Sequence, residues 1–71
     1  MSGILETLYV ISVLLTYQSG DTFEYKTLET YDSLDRCVAA MNQTDNALEE
    51  KVGQNDGRGV IVGYTITCDP K

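Results

Sequence analysis

"LYVISVLLTY", Leu8 to Tyr17, is the most apolar stretch of this chain, and its reading decides the fold. A helix that crosses a bilayer takes about 20 residues, so this stretch is too short to span one. The residues before it include Glu6 and neither Lys nor Arg, so the basic start of a secretory leader is missing. Its β-branched and aromatic residues suit a strand. The odd positions Tyr9, Ile11, Val13, Leu15 and Tyr17 are all apolar or aromatic, and the even positions Leu8, Val10, Ser12, Leu14 and Thr16 are softer. Successive side chains of a strand face opposite sides of its sheet. A strand apolar on both faces belongs in the middle. Without a leader or a membrane span, the chain is expected to be cytoplasmic, where thiols stay reduced.

Working outward, "QSGD", Gln18 to Asp21, reads as a turn, with Gly20 free to take positive φ. "TFEYKTLETY", Thr22 to Tyr31, follows as a second strand whose alternation slips at Thr27-Leu28, a sign of a bulge or of a change of face. The two strands form a hairpin. Asp32 or Ser33 then caps a helix, with Asp35 in its first turn. Leu34, Cys37, Val38, Met41, Leu48 and Val52 fall on one helical stripe. Asp45 interrupts that stripe, and "NQTDN", Asn42 to Asn46, is made of poor helix formers. "NALE" has the form of a second capping signal. A kink or break is therefore expected near residues 43–46. Gly53 ends the helix, and "GQNDGRG" reads as a mobile loop. "VIVGYTITC", Val60 to Cys68, is the last strand. Val60, Val62, Tyr64, Ile66 and Cys68 are expected on its core face, and Ile61, Gly63, Thr65 and Thr67 on the other.

The expected fold is α+β: a single domain over residues 1–71, in the order β-β-α-β. A three-stranded antiparallel sheet, with strands ordered 2-1-3, carries one kinked helix on one face. A 71-residue chain hides only about 60% of the surface its unfolded form exposes, so its core is thin. A staple or a partner subunit would help it.

Charge narrows the function. Eleven acids against five bases leave a net charge of −6. That balance opposes direct nucleic-acid binding, which needs clustered Lys and Arg. It also opposes binding to an anionic membrane surface. A protein partner with a basic surface is the electrostatic match. The chain has no histidine, and no nucleophile is paired with a base. No enzyme activity, cofactor or metal is therefore expected.

The two cysteines, Cys37 and Cys68, lie on the helix stripe and on the core face of the last strand. Both point into the same layer. They are open to four readings: packed small hydrophobes, a disulfide, half of a metal site lacking its other two ligands, or a reactive thiol. Asp35, Glu49 and Glu50 lie along the outer flank of the helix, with Asn42 and Asn46 between them. They read as a solvated flank or as a docking strip for Lys and Arg. Opposite the helix, Leu8, Val10, Leu14, Leu28 and Ile61 are expected on the second sheet face. They form either an ordinary semi-apolar surface or an interface for a partner or second copy. "GQNDGRG" has no Walker or GxGxxG pattern, and "NQT" at Asn42 is a glycosylation triplet set in a helix.

The hydrophobic first strand, Gly-turn hairpin, Cys-bearing helix and last strand ending in Cys resemble small acidic proteins encoded by bacteriophages and prophages, anti-CRISPR proteins among them. The resemblance covers most of the chain and lies in its organisation. It implies a protein that inhibits host machinery by stoichiometric binding in the host cytoplasm, and it assigns no site residue. The expectation is a non-enzymatic binding protein that occupies a basic surface of a nucleic-acid-handling host protein. The alternative is a structural or accessory homodimer joined through Val10, Leu14 and Ile61.

Overall fold

The computed structural model describes residues 7–71. The reading of the segment before Leu8 falls on residues 1–6, outside the described residues. The apolar stretch becomes strand β1 (Tyr9–Tyr17), followed by β2 (Thr22–Lys26), helix α1 (Leu34–Lys51) and β3 (Ile61–Pro70). The strands form one antiparallel sheet in the order β2-β1-β3, so the most apolar strand is central. The helix packs on β3 and β1 and not on β2. The core joins Ile11, Val13, Leu15 and Tyr17 of β1 to Cys37 and Leu48 of α1 and to Ile61.

The hairpin turn forms as read. The Tyr17 N–H donates to the Asp21 carbonyl at 2.9 Å, and Gly20 takes φ +94°. Beyond β2, the Thr27 N–H still donates to the Ile11 carbonyl at 2.9 Å. Tyr31 then pairs with Tyr9, two residues later than the ladder's register would place it. Residues 28–30 bulge out as a result, and Leu28 stands 99% exposed instead of lying on the sheet face.

The helix does not break. It runs unbroken for 18 residues, from an N-cap at Ser33 whose hydroxyl accepts from the Arg36 N–H at 3.2 Å. Cys37 and Leu48 are buried, and Ala40, Met41, Thr44 and Asp45 are half-buried. This is a continuous face at helical spacing. Leu34, Val38 and Val52 of the expected stripe are exposed. Poor local propensity is overridden because Asp45 finds a tertiary partner on β3. The Tyr64 hydroxyl donates to the Asp45 carboxylate, and the Thr44 hydroxyl donates to the Ala40 carbonyl at 3.4 Å.

Candidate docking surface

The sheet face away from the helix is more polar than expected. In the β1–β3 ladder Thr16 opposes Gly63, but Tyr17 opposes Ile61, so Val62 is an extra residue at a register shift. One inserted residue reverses the alternation before it. Ile61 therefore turns into the core at 2% exposed, and Val62 stands out at 51%. Val10 is buried at 5%, and Leu14 is half-buried. The rows beside them carry Glu24, Lys26, Thr65, Thr67 and Asp69. Lys26 Nζ donates to Ser12 Oγ at 2.9 Å and lies 3.7 Å from Asp69. The Ser12 hydroxyl, ahead of Thr67 and Lys26, holds the Asp69 carboxyl below its usual range. Val10, Leu14 and Ile61 thus form no exposed apolar patch.

The acidic helix residues are placed as read. Asp35, Glu49 and Glu50 are all exposed. Asp35, Asn42 and Glu49 recur at intervals of seven, two turns of helix, so they fall on one line along the helix surface. The parallel line Val38, Asp45 and Val52 lies beside it on the side of β3, where Asp45 meets Tyr64. Between helix and strand runs an open groove of about 350 Å³, lined by Met41, Asn42, Asp45, Tyr64 and Ile66. The Tyr64 hydroxyl is pushed up to about 12, first by its bond to Asp45, then by burial and by the charges of Asp45 and Glu49. Glu49 lies one helical turn beyond Asp45.

The outer edge of β3 borders this groove. Ile11 and Tyr9 direct their backbone groups toward the β2 side, bonding Thr27 and Tyr31. In an antiparallel ladder these directions alternate. The even residues of β1 therefore bond to Gly63, Thr65, Thr67 and Asp69, and Lys71 continues the series by donating to Leu8 at 2.7 Å. The backbone groups of Tyr64, Ile66 and Cys68 then point away from the sheet. Pro70 shares their parity, so its missing N–H falls on the outer edge, where a strand proline is tolerated. Among the described residues, no backbone partner bonds Tyr64, Ile66 or Cys68 from that side.

"GQNDGRG" is an exposed loop, as read, with internal pairing. Asn55 and Val60 form a bridge, and Ile61 exchanges bonds with Gly53 and Gln54 at 2.7 and 3.0 Å. Tyr17 Oη donates to Asp56 Oδ2 at 2.6 Å, and the Arg58 guanidinium sits 3.8 Å above the Phe23 ring. The Tyr17 bond, then the Arg58 N–H, hold the Asp56 carboxyl below its ordinary value. Burial, then the same bond, raises Tyr17. This cluster closes the end of the core. On the uncovered β2 side a second open groove, about 520 Å³, is lined by Ile11, Tyr25, Leu28, Tyr31 and Ala40 among others.

Cys37 and Cys68 are bonded to each other, with Cα atoms 6.2 Å apart. Of the four readings, the disulfide is the one that forms, and it ties the helix to the edge strand. Among the described residues, no group of three or more acidic, Cys or His side chains is set to hold a metal ion. No described helix is long and apolar enough to cross a membrane. Comparison with protein families, curated proteins and solved structures finds no match for this chain.

Proposed function

We propose that this chain is a non-enzymatic binding protein that occupies a basic surface on a larger protein. The observation that carries the reading is the α1–β3 flank, where the acids Asp35, Asp45 and Glu49 run beside exposed Val38 and half-buried Met41. Negative charge steers a basic partner and fixes its orientation, and the apolar residues supply area that charge alone does not. The net charge of −6 adds to the steering.

The homodimer reading drew on an apolar sheet face. With Ile61 and Val10 buried, it has little surface to use. The narrower form of the binding reading is a phage-type inhibitor of a nucleic-acid-handling host protein, with carboxylates standing where phosphates bind. It requires the host cytoplasm. The Cys37–Cys68 bond favours an oxidising compartment instead.

Capture of the partner from lysate of the source cells, identification by mass spectrometry and reconstitution from purified components test the reading. The complex should weaken steeply between low and high salt and be lost in Glu49→Lys/Glu50→Lys. Affinity indifferent to both would overturn it. Alkylating thiols in rapidly quenched cells separates the compartments: two free thiols support the cytoplasmic inhibitor, and none supports action where disulfides persist.

A further inference from the structure

The acidic flank borders the outer edge of β3, which no described residue pairs over Tyr64 to Cys68. We propose that β3 binds its partner by strand addition, taking up an extended segment that carries Lys or Arg next to apolar residues. The inference rests on the binding-protein reading and names the mode and chemistry of that partner.

Three observations converge on it. The outward N–H and C=O groups of Tyr64, Ile66 and Cys68 form a ready template for another strand. The disulfide and the Asp45–Tyr64 bond hold β3 against the helix, so the edge is rigid before binding. The groove above the edge then sorts the incoming side chains. Opposite Ile66 the helix presents Met41, with exposed Val38 one turn toward its N-terminus, which suit an apolar residue. Opposite Tyr64 it presents Asp45, with Glu49 one turn further, which suit a cation. On the far face, Thr65 and Thr67 ask only for polar residues.

Charge decides between the occupants. Antiparallel pairing of β3 with the β3 of a second copy would bring two acidic flanks together across the seam, in chains that each carry −6. Like charges facing each other across a strand pair are destabilising. A basic segment meets the same flank with opposite charge.

The test follows amide hydrogen exchange by NMR on the oxidised full chain. The probe is the synthetic peptide Thr-Val-Thr-Val-Thr-Lys-Thr-Lys-Thr, compared with the version carrying Glu for Lys. In the free protein, the amides of Tyr64, Ile66 and Cys68 should exchange fast, while those of Thr65 and Thr67 are protected. Saturating Lys peptide should slow the three edge amides at least about tenfold, and the Glu peptide should not. A synthetic protein with N-methylated Ile66 keeps every side chain and loses the central donor, and it should bind the Lys peptide at least about tenfold more weakly.

Edge amides already protected in dilute protein would overturn the proposal. Protection that rises with protein concentration, with a dimer in sedimentation, would overturn it in favour of a second copy. Lys peptide that fails to bind, or binds without slowing these amides, would also overturn it. If the reconstituted partner binds with steep salt dependence while the edge amides stay unprotected, strand addition fails and the acidic-surface reading stands.

Discussion

Asp45 sits on the half-buried face of the helix, where a leucine would ordinarily be. Its carboxylate accepts the Tyr64 hydroxyl proton, and that bond joins helix to edge strand. A polar pair of this kind is worth keeping only when both members are present, because each leaves the other unsatisfied when removed. Tyr64→Phe and Asp45→Ala should therefore each lower stability, and the double substitution should cost less than their sum in chemical denaturation. Strict additivity would mean that the two groups do not interact. The Tyr17–Asp56 bond gives a pH signature at the other end of the sheet. Asp56 is lowered from 3.8, so its contribution is complete above that value and is lost as pH falls through the folded value. Tyr17 is raised from 10.0, so its contribution is complete below that value and is lost as pH rises through the folded one. The melting-temperature gap between wild type and Asp56→Ala should hold steady at neutral pH and close on acidification below the carboxylate range. A gap that persists in strong acid would show that Asp56 acts without its charge.

At the scale of elements, the register shift between β1 and β3 decides which side chains are core. Ile61 and Val62 are adjacent β-branched residues, and the bulge sends the first inward and the second out. Ile61→Lys should unfold the protein or cost several kcal/mol, on the order of 3–5, since it buries an unpaired charge. Val62→Lys should change stability by no more than about 0.5 kcal/mol. Urea melts of the two variants check this, and equal costs would refute the register. Val10 is buried as well, so a charge placed at Val10 or Ile61 tests the core and not an interface.

For the whole molecule, a three-stranded sheet under one helix leaves a thin core, and the disulfide compensates. It spans a sequence separation of 31 residues. In the loop-entropy account, closing a loop of that length removes freedom from the unfolded chain worth about 3–4 kcal/mol. That is a large share of the about 5–15 kcal/mol by which domains are stable. Cys37→Ala/Cys68→Ala should lower the urea midpoint by the equivalent of about 2–5 kcal/mol. A midpoint unchanged by the double substitution would show that packing alone holds the helix on the sheet. Because Cys68 lies on the free edge, losing the bond should also loosen the docking surface.

The sequence alone determined the element order, the central place of Leu8–Tyr17 and the hairpin at Gly20. Each is a local matter of alternation, apolar content and turn chemistry. It also supplied the acids of the helix flank, since exposure of a charged line follows from helical periodicity. Tertiary structure decided the rest. The helix stays whole because Asp45 meets a tyrosine 19 residues away in sequence, and no local propensity encodes that encounter. Ile61 left the surface because one unpaired residue reversed the alternation, and pairing with Tyr17 is what reveals it. The cysteines, open to four readings as isolated letters, became a disulfide because the fold brought their Cα atoms to 6.2 Å. That β3 is an edge strand followed from the expected order 2-1-3, but which of its residues turn their backbone groups outward was decided by the register with β1.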